Sequence, residues 1–482
     1  MTMPDLDLCY MTATEALAAF RAKKLSPVEL LQAHIDRVDS VNAKVNALTY
    51  KYFDRALSQA RNAESLYAKG ATTRPLEGIP CAIKDWHSVE GEITTYGSKV
   101  FEDFRPTQSA PTVARLLDAG VLMHCRSTSP EFAHSPTTHS PLWGVTRNPW
   151  NLNFSPGGSS GGAGAALAAG MTTLADGTDG GGSIRIPAAA SGVYGYKPPF
   201  GRNPLDREHP GESVLHYGPM GRSVGDLALM QNVMSGQHPA DICSLREKIV
   251  LPARHDGIKG WKIALSMNLG YFEVDEVVQK NTLAAIEVFK SLGCTVDEVD
   301  LGWTEATEDA WTVNWEGLFF ALSGDLLPRW HNELDPFVVK ILENGSKHSV
   351  SRFYGVKKTR FEMYEKLSPI QEKYDLLIAP TLALPSVPAD RLNDDPLSIN
   401  GKRVNPYTGW FMTYPFNVVS QCPVMSVPSG WDESTSIPTG LQIVGRTFDD
   451  LSVFRAAAAF EAATEPWKSR RPAFATGNGL VR

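Results

Sequence analysis

The segments Ser155-Pro-Gly-Gly-Ser-Ser-Gly-Gly162 and Asp176-Gly-Thr-Asp-Gly-Gly-Gly-Ser-Ile-Arg-Ile-Pro187 are the ones on which the reading of this chain turns. Consecutive glycines open backbone conformations closed to other residues and let several N–H groups converge on one point. A serine directly after three glycines, as Ser183 is, sits beside a nest that can stabilise an anion, which is oxyanion-hole chemistry. One Gly-Gly-Ser by itself is most simply a turn. Two such segments, carrying Ser159 and Ser183, favour a site of nucleophilic catalysis.

Working outward, the small residues of Gly161 to Ala175 predict a helix packed very closely against its neighbours. Upstream, Leu76-Glu-Gly-Ile-Pro-Cys-Ala-Ile-Lys84 leads from a turn into a short apolar strand, and Gly120-Val-Leu-Met-His-Cys125 repeats the pattern after a helical stretch with Val113, Leu116 and Leu117. The opening residues have helical spacing, with Ser26-Pro27 as an N-cap followed by proline at the first helical position. Downstream, Gly257 to Ser266 and Gly293 to Asp300 read as strands flanking a helix from Val274 to Leu292. Trp303 to Tyr374 is mainly helical, and a last β-rich block begins at Tyr374 and ends in the helix Leu451 to Ala463. Alternating strands and helices predict an α/β fold with a sheet covered on both faces. No internal repeat or clean linker divides the chain, so one continuous domain is expected.

The 482 residues carry 46 basic and 53 acidic side chains, a net charge of −7, which argues against a polyanionic partner. The six cysteines, Cys9, Cys81, Cys125, Cys243, Cys294 and Cys422, form no close pair, which fits reduced thiols better than disulfides or a zinc site. Met1 to Tyr10 lacks the basic and apolar regions of a leader, and the uncharged stretch Asn148 to Ala175 is too rich in Pro, Gly and Ser to cross a membrane. The expectation is a cytoplasmic protein that works without nucleic acid, membrane or cofactor.

A serine nucleophile needs a base. Gly157-Gly-Ser-Ser-Gly161 matches the G-x-S-x-G elbow, but the polar, proline-bounded Pro149 to Pro156 precedes it where an elbow needs an apolar strand. Lysine is the remaining base, because burial lowers its pKa and leaves a neutral amine. His134 and His139 flank Pro136, which breaks any helix that could align them on a metal, and no metal is expected.

At this point the residues resemble a known family. Ile83-Lys84-Asp85, the Gly-Gly-Ser159-Ser-Gly-Gly loop and Gly177-Thr-Asp-x-Gly-Gly-Ser183-Ile-Arg-x-Pro187 are similar to the signature of the amidase signature hydrolases. Leu25-Ser-Pro-Val-Glu-Leu, Pro75-Leu-Glu-Gly-Ile-Pro, Asn148-Pro-Trp, Gly195-Tyr-Lys-Pro, Gly218-Pro-Met and Gly440-Leu-Gln-Ile-Val-Gly extend the resemblance over nearly the whole chain. It implies a mixed, twisted sheet and a Ser–cisSer–Lys triad of Ser183, Ser159 and Lys84. The N–H groups of Gly180, Gly181, Gly182 and Ser183 would form the oxyanion hole, and Asp179, Arg185 and Ser160 would support the loops. Residues 1–70 then become the opening helices, 71–205 the signature core, 206–370 a variable substrate-side region and 371–482 the completion of the sheet.

Three places depart from the family pattern: Arg126-Ser-Thr, His134-Ser135 and Pro198-Pro199. The second lies in a loop expected to line the substrate carbonyl. The implied activity is hydrolysis of a small-molecule amide, with carbamates and esters as further substrates and a homodimer left open. The alternative is the glutaminase-type A subunit of a tRNA-dependent amidotransferase, in which a polar Gln often stands where this chain has Ile186. Rings near the catalytic loops and in the variable regions point to an apolar pocket for aryl or medium-chain amides, with Trp86, Ser135, Trp143, Trp315 and Trp410 as candidate lining.

Overall fold

The computed structural model describes residues 5–209 and 211–472, so the first four residues of the opening segment and the last ten of the C-terminal region lie outside the described residues. Among the described residues, eleven strands form one mixed sheet. In chain order they are β1 Leu48–Lys51, β2 Pro80–Lys84, β3 Leu122–Ser127, β4 Leu174–Asp179, β5 Tyr194–Lys197, β6 His216–Gly221, β7 Lys262–Leu265, β8 Thr295–Glu298, β9 Leu376–Pro380, β10 Val424–Trp431 and β11 Pro438–Val444. Their order across the sheet is β1-β3-β2-β4-β6-β5-β10-β11-β9-β7-β8. β2 runs parallel to β3 and β4, and β7 runs parallel to β8 and β9. From β4 across to β9 the neighbours are antiparallel.

Both faces of the middle of this sheet are buried, as the apolar runs require, while the edge strands β1 and β8 are partly exposed. Leu376 and Ile378 join Ile263, Leu265, Met425, Val427, Leu441 and Ile443 in one cluster, while the alternate residues Leu377, Ala379, Ala264, Val424 and Val444 join another. This is the two-residue period of a strand with helices above and below it. The first cluster is closed by α5 (Glu276–Ser291) and α7 (Asp450–Thr464), whose Phe289 and Phe460 stack at 5.0 Å. The second is closed partly by α6 (Ala306–Ser323), which brings in Trp311, Trp315 and Phe319.

Local signals set several boundaries. α1 (Ala13–Arg21) and α2 (Pro27–Val45) each start on a capping box; in α2 Ser26 accepts from the Glu29 amide and the Glu29 carboxylate accepts from the Ser26 amide, with Pro27 in its first turn. The helix expected over 161–175 is shorter: α3 covers Gly161–Ala168, the chain turns through Gly170 at φ +73°, and Leu174 to Asp179 is the central strand β4. A short run of Ala, Gly and Leu suits a buried helix or a buried strand equally, and pairing to β2 and β6 decides in favour of the strand. The closeness of α3 is as expected. A Cβ on Gly162 would lie 2.3 Å from the Thr128 backbone nitrogen. Among the described residues no helix is long and apolar enough to cross a membrane.

Candidate active site

Lys84 is the last residue of β2 and Asp179 the last of β4, so two adjacent parallel strands deliver their carboxyl ends to one place. Open α/β sheets bind ligands at such ends. Ser183 lies in the turn between β4 and α4 (Arg185–Ser191), and Ser159 lies just before α3. The two serine loops are tied by the Ser160 amide, which donates to the Ser183 carbonyl at 3.1 Å. The Gly158–Ser159 peptide is cis.

Lys84 Nζ is fully buried, 2.7 Å from Ser159 Oγ and 2.7 Å from Thr178 Oγ1. Burial lowers its pKa from the ordinary lysine range to about 7, against the smaller opposing pull of Asp176 and Asp179. An amine in this setting is neutral for much of its time near pH 7 and has a lone pair to offer. Asp176 does not pair with the ammonium: its Oδ1 accepts from the Lys84 backbone N–H at 2.7 Å and holds the strand end.

Asp179 and Arg185 form a buried bidentate pair, with Arg185 Nη2 to Oδ1 at 2.8 Å and Nε to Oδ2 at 3.0 Å. Arg185 also donates to the Thr413 carbonyl, Gln442 Oε1 and Asn417 Oδ1, so its guanidinium bolts the Ser183 turn to the segment before β10 and to β11. Burial alone would raise the Asp179 pKa, but the Arg185 charge and the bonds from Arg185 and Asn417 hold it below the usual carboxylate range. Ser160 Oγ takes a bond from the Thr178 amide at 3.3 Å.

Ser183, 8 % exposed, opens onto a cavity of about 370 Å³ together with Ser159, Thr178 and Gly180. Most of the remaining wall is apolar: Trp86, Tyr96, Phe101 and Phe132 on one hand, and Trp315, Leu318 and Phe319 from α6 on the other. Of the candidate lining, Trp86 and Trp315 face this cavity. Ser135 lies in a narrow recess beside Gly181 and Ser183 and bonds to Asn393 Oδ1 at 2.9 Å. Trp143 stands apart from the cavity, its indole N–H 3.3 Å from Asp85 Oδ2, and Trp410 is fully buried in the core.

Several neighbours were not singled out from the sequence. Thr178 belongs to the Gly177-Thr-Asp motif and is a signal that could have been used. His209 carries no such mark. It joins the cavity wall against Trp86, with ring centroids 5.1 Å apart, and its Nδ1 lies 2.7 Å from Asp206 Oδ1. Burial works against the imidazolium, but Asp206 prevails and raises the His209 pKa. His134 and His139 both approach Asp335, at 3.9 and 3.7 Å, and among the described residues no group of three or more His, Cys, Asp or Glu is placed to hold a metal.

Comparison with known proteins places this arrangement in context. The family model Amidase matches residues 29–454. An acylamidase from Rhodococcus erythropolis is 35 % identical over 490 residues, covering 98 % of this chain and 99 % of the relative. The A subunit of a glutamyl-tRNA(Gln) amidotransferase from Chloroflexus aggregans is 31 % identical, covering 97 % and 99 %. Among solved structures, a bacterial aryl acylamidase of the amidase signature enzymes superposes with a TM-score of 0.90 at 32 % identity, over 98 % of this chain and 99 % of that one.

Proposed function

The chain belongs to the amidase family and is an amidase of the signature type, and from that premise we propose that it cleaves the C–N bond of aryl and other apolar amides through an acyl-enzyme on Ser183. Anilides are the expected best substrates, and carbamates and esters share the required carbonyl. The observation that carries this reading is the cavity, where Ser183, Ser159 and Thr178 meet a wall built largely of rings. A substrate ring of phenyl size buried there gains about 2–3 kcal/mol over one left in water.

In the proposed reaction Ser183 Oγ attacks the carbonyl carbon. Its proton passes to Ser159, whose own proton passes to the lone pair of Lys84. The negative charge that gathers on the carbonyl oxygen is met by the N–H groups of Gly180, Gly181, Gly182 and Ser183. Return of the proton along the same path to the nitrogen breaks the C–N bond and releases the amine. Water, deprotonated by the same relay, then cleaves the Ser183 ester, releases the carboxylic acid and restores the hydroxyl. Asp179, Arg185 and Ser160 keep the two loops in register.

The amidotransferase relatives make glutamine the competing substrate. A small zwitterion would leave the rings unfilled and its charges poorly solvated, which disfavours it. The six cysteines are unpaired thiols, in keeping with a reducing compartment such as the cytoplasm.

The test is a side-by-side assay of 4-nitroacetanilide, a phenyl carbamate, phenyl acetate, acetamide and glutamine. The expected kcat/KM for the anilide exceeds that for acetamide by about 100-fold. Capture of the acyl group by hydroxylamine, with a burst of amine, reports the acyl-enzyme. A clear preference for glutamine overturns the reading.

A further inference from the structure

Four successive carbonyls before the nucleophile are each tied down. The Asp179 carbonyl accepts from Asn417 Nδ2 at 2.9 Å, the Gly180 carbonyl from Trp311 Nε1 at 3.0 Å, the Gly181 carbonyl from Thr413 Oγ1 at 2.5 Å and the Gly182 carbonyl from the Ile186 amide at 2.7 Å. In a trans peptide the N–H points away from the C=O, so fixing each carbonyl aims the amide of the next residue the other way. Those amides belong to Gly180, Gly181, Gly182 and Ser183, and none of them donates to another described residue. Buried amides almost always find a partner, so four in a row with none mark a place kept for a ligand's oxygen.

Resting on the acyl-enzyme reading above, we propose that Trp311, Thr413 and Asn417 are the positioning residues of the oxyanion hole: each grips one carbonyl of the loop, Asn417 sharing that of Asp179 with His216 Nδ1 at 3.1 Å, and thereby aims one N–H at the developing negative charge. Their hold is stiff. Trp311, Thr413 and Asn417 are buried. The Thr413 carbonyl is itself held by Arg185 Nη1 at 2.9 Å. A Cβ on Gly182 would come within 1.9 Å of Thr413 Oγ1, and one on Gly181 within 2.5 Å of the Trp311 ring. The glycines thus serve close approach as well as backbone freedom, and the helix α6, outside the signature segments, reaches back through Trp311 to set the geometry of the signature loop.

The test compares Thr413→Val, which keeps the shape and removes the hydroxyl, with Thr413→Ser, which keeps the hydroxyl. Turnover of 4-nitroacetanilide is measured beside labelling by a fluorophosphonate, in which the Ser183 oxygen bonds to phosphorus, fluoride leaves, the hydroxyl proton passes to the Ser159–Lys84 relay and the phosphonyl oxygen occupies the hole. Thr413→Val is expected to lower kcat and the labelling rate together, on the order of 10- to 100-fold, with KM within about two-fold of wild type. Thr413→Ser is expected to recover at least about ten-fold of that loss. Trp311→Phe keeps a ring against Gly181 and removes the N–H, so it carries the test alone if Thr413→Val does not fold; the same paired fall in kcat and labelling is expected. Rates within about two-fold of wild type in these variants, an equal fall in Thr413→Val and Thr413→Ser, or a rise in KM without a fall in kcat overturns the proposal. Labelling that survives in Ser183→Ala overturns instead the reading of the nucleophile.

Discussion

Lys84 Nζ and Ser159 Oγ stand 2.7 Å apart at the end of a β-strand and the start of a helix, with Thr178 Oγ1 equally close to the amine. A lysine at full burial, with two hydroxyls and, among the described residues, no carboxylate within hydrogen-bonding distance of its Nζ, has only the weaker pull of Asp176 and Asp179 to hold its charge against the loss of water. The same features that make it a poor cation make it a usable base.

The first expectation concerns the relay as a unit. Ser183→Ala should abolish hydrolysis of 4-nitroacetanilide, and Lys84→Ala and Ser159→Ala should each lower kcat/KM by about 10³-fold or more, because residues sharing one proton path fail together. The double variant should be little worse than either single one. Steady-state kinetics with circular dichroism as a folding control decide it, and near-wild-type turnover by Ser183→Ala would remove the nucleophile assignment.

The pH profile follows from Lys84. In the proposed relay the neutral amine is the active form, and its pKa lies at about 7, so kcat/KM should climb tenfold per pH unit below that value and level off above it. A profile that is flat or falling from pH 5 to 7 in a pH-stable enzyme contradicts the assignment.

Stability carries the opposite mark of the same residue. Between about pH 7 and the ordinary lysine value of 10.5 the folded state holds fewer protons on Lys84 than the unfolded state does, so its contribution to stability rises with pH across that window. Lys84→Met should therefore raise Tm most below pH 7, less through the window, and not at all above it. Lys197, also brought to about 7 by burial, leaves its own slope in place. A Tm gain that grows with pH would show the sign to be wrong.

Two of the four tryptophans named as candidate lining, Trp315 and Trp410, should behave differently. Trp315→Ala opens the cavity wall and should raise KM for 4-nitroacetanilide by about ten-fold or more while changing that for acetamide by less than about three-fold. Trp410 is fully buried away from the cavity, so Trp410→Ala should cost about 3–5 kcal/mol of stability without favouring one substrate over the other. Thermal unfolding and the two KM values separate these outcomes, and a selective KM effect in Trp410→Ala would refute the distinction.

Much of the site was legible because its chemistry is local. Ser159, Ser183 and three consecutive glycines announce themselves within 33 residues, and Lys84 ends an apolar run that reads as a strand. The amphipathic spacing of α2 and its Ser26 cap are likewise contained in a few neighbouring residues. The α3–β4 boundary was not, because the Ala- and Gly-rich run from Gly161 to Ala175 has no intrinsic preference strong enough to oppose its surroundings, and hydrogen bonding to β2 and β6 chose for it.

What the sequence by itself determined is therefore the family, the Gly-rich segments that carry Ser159 and Ser183, and the alternation of elements that brings strand ends together. Only the tertiary structure decided which rings line the cavity and which side chains hold the carbonyls of the glycine loop. Trp86 and Trp315 line the cavity while Trp143 and Trp410 do not, although all four are equally apolar on paper. Trp311, Thr413 and Asn417 reach the glycine loop from 131, 232 and 238 residues away. The physical reason is that a hydrogen bond or a packed ring depends on where two groups meet in space, and no period along the chain encodes a meeting across such distances.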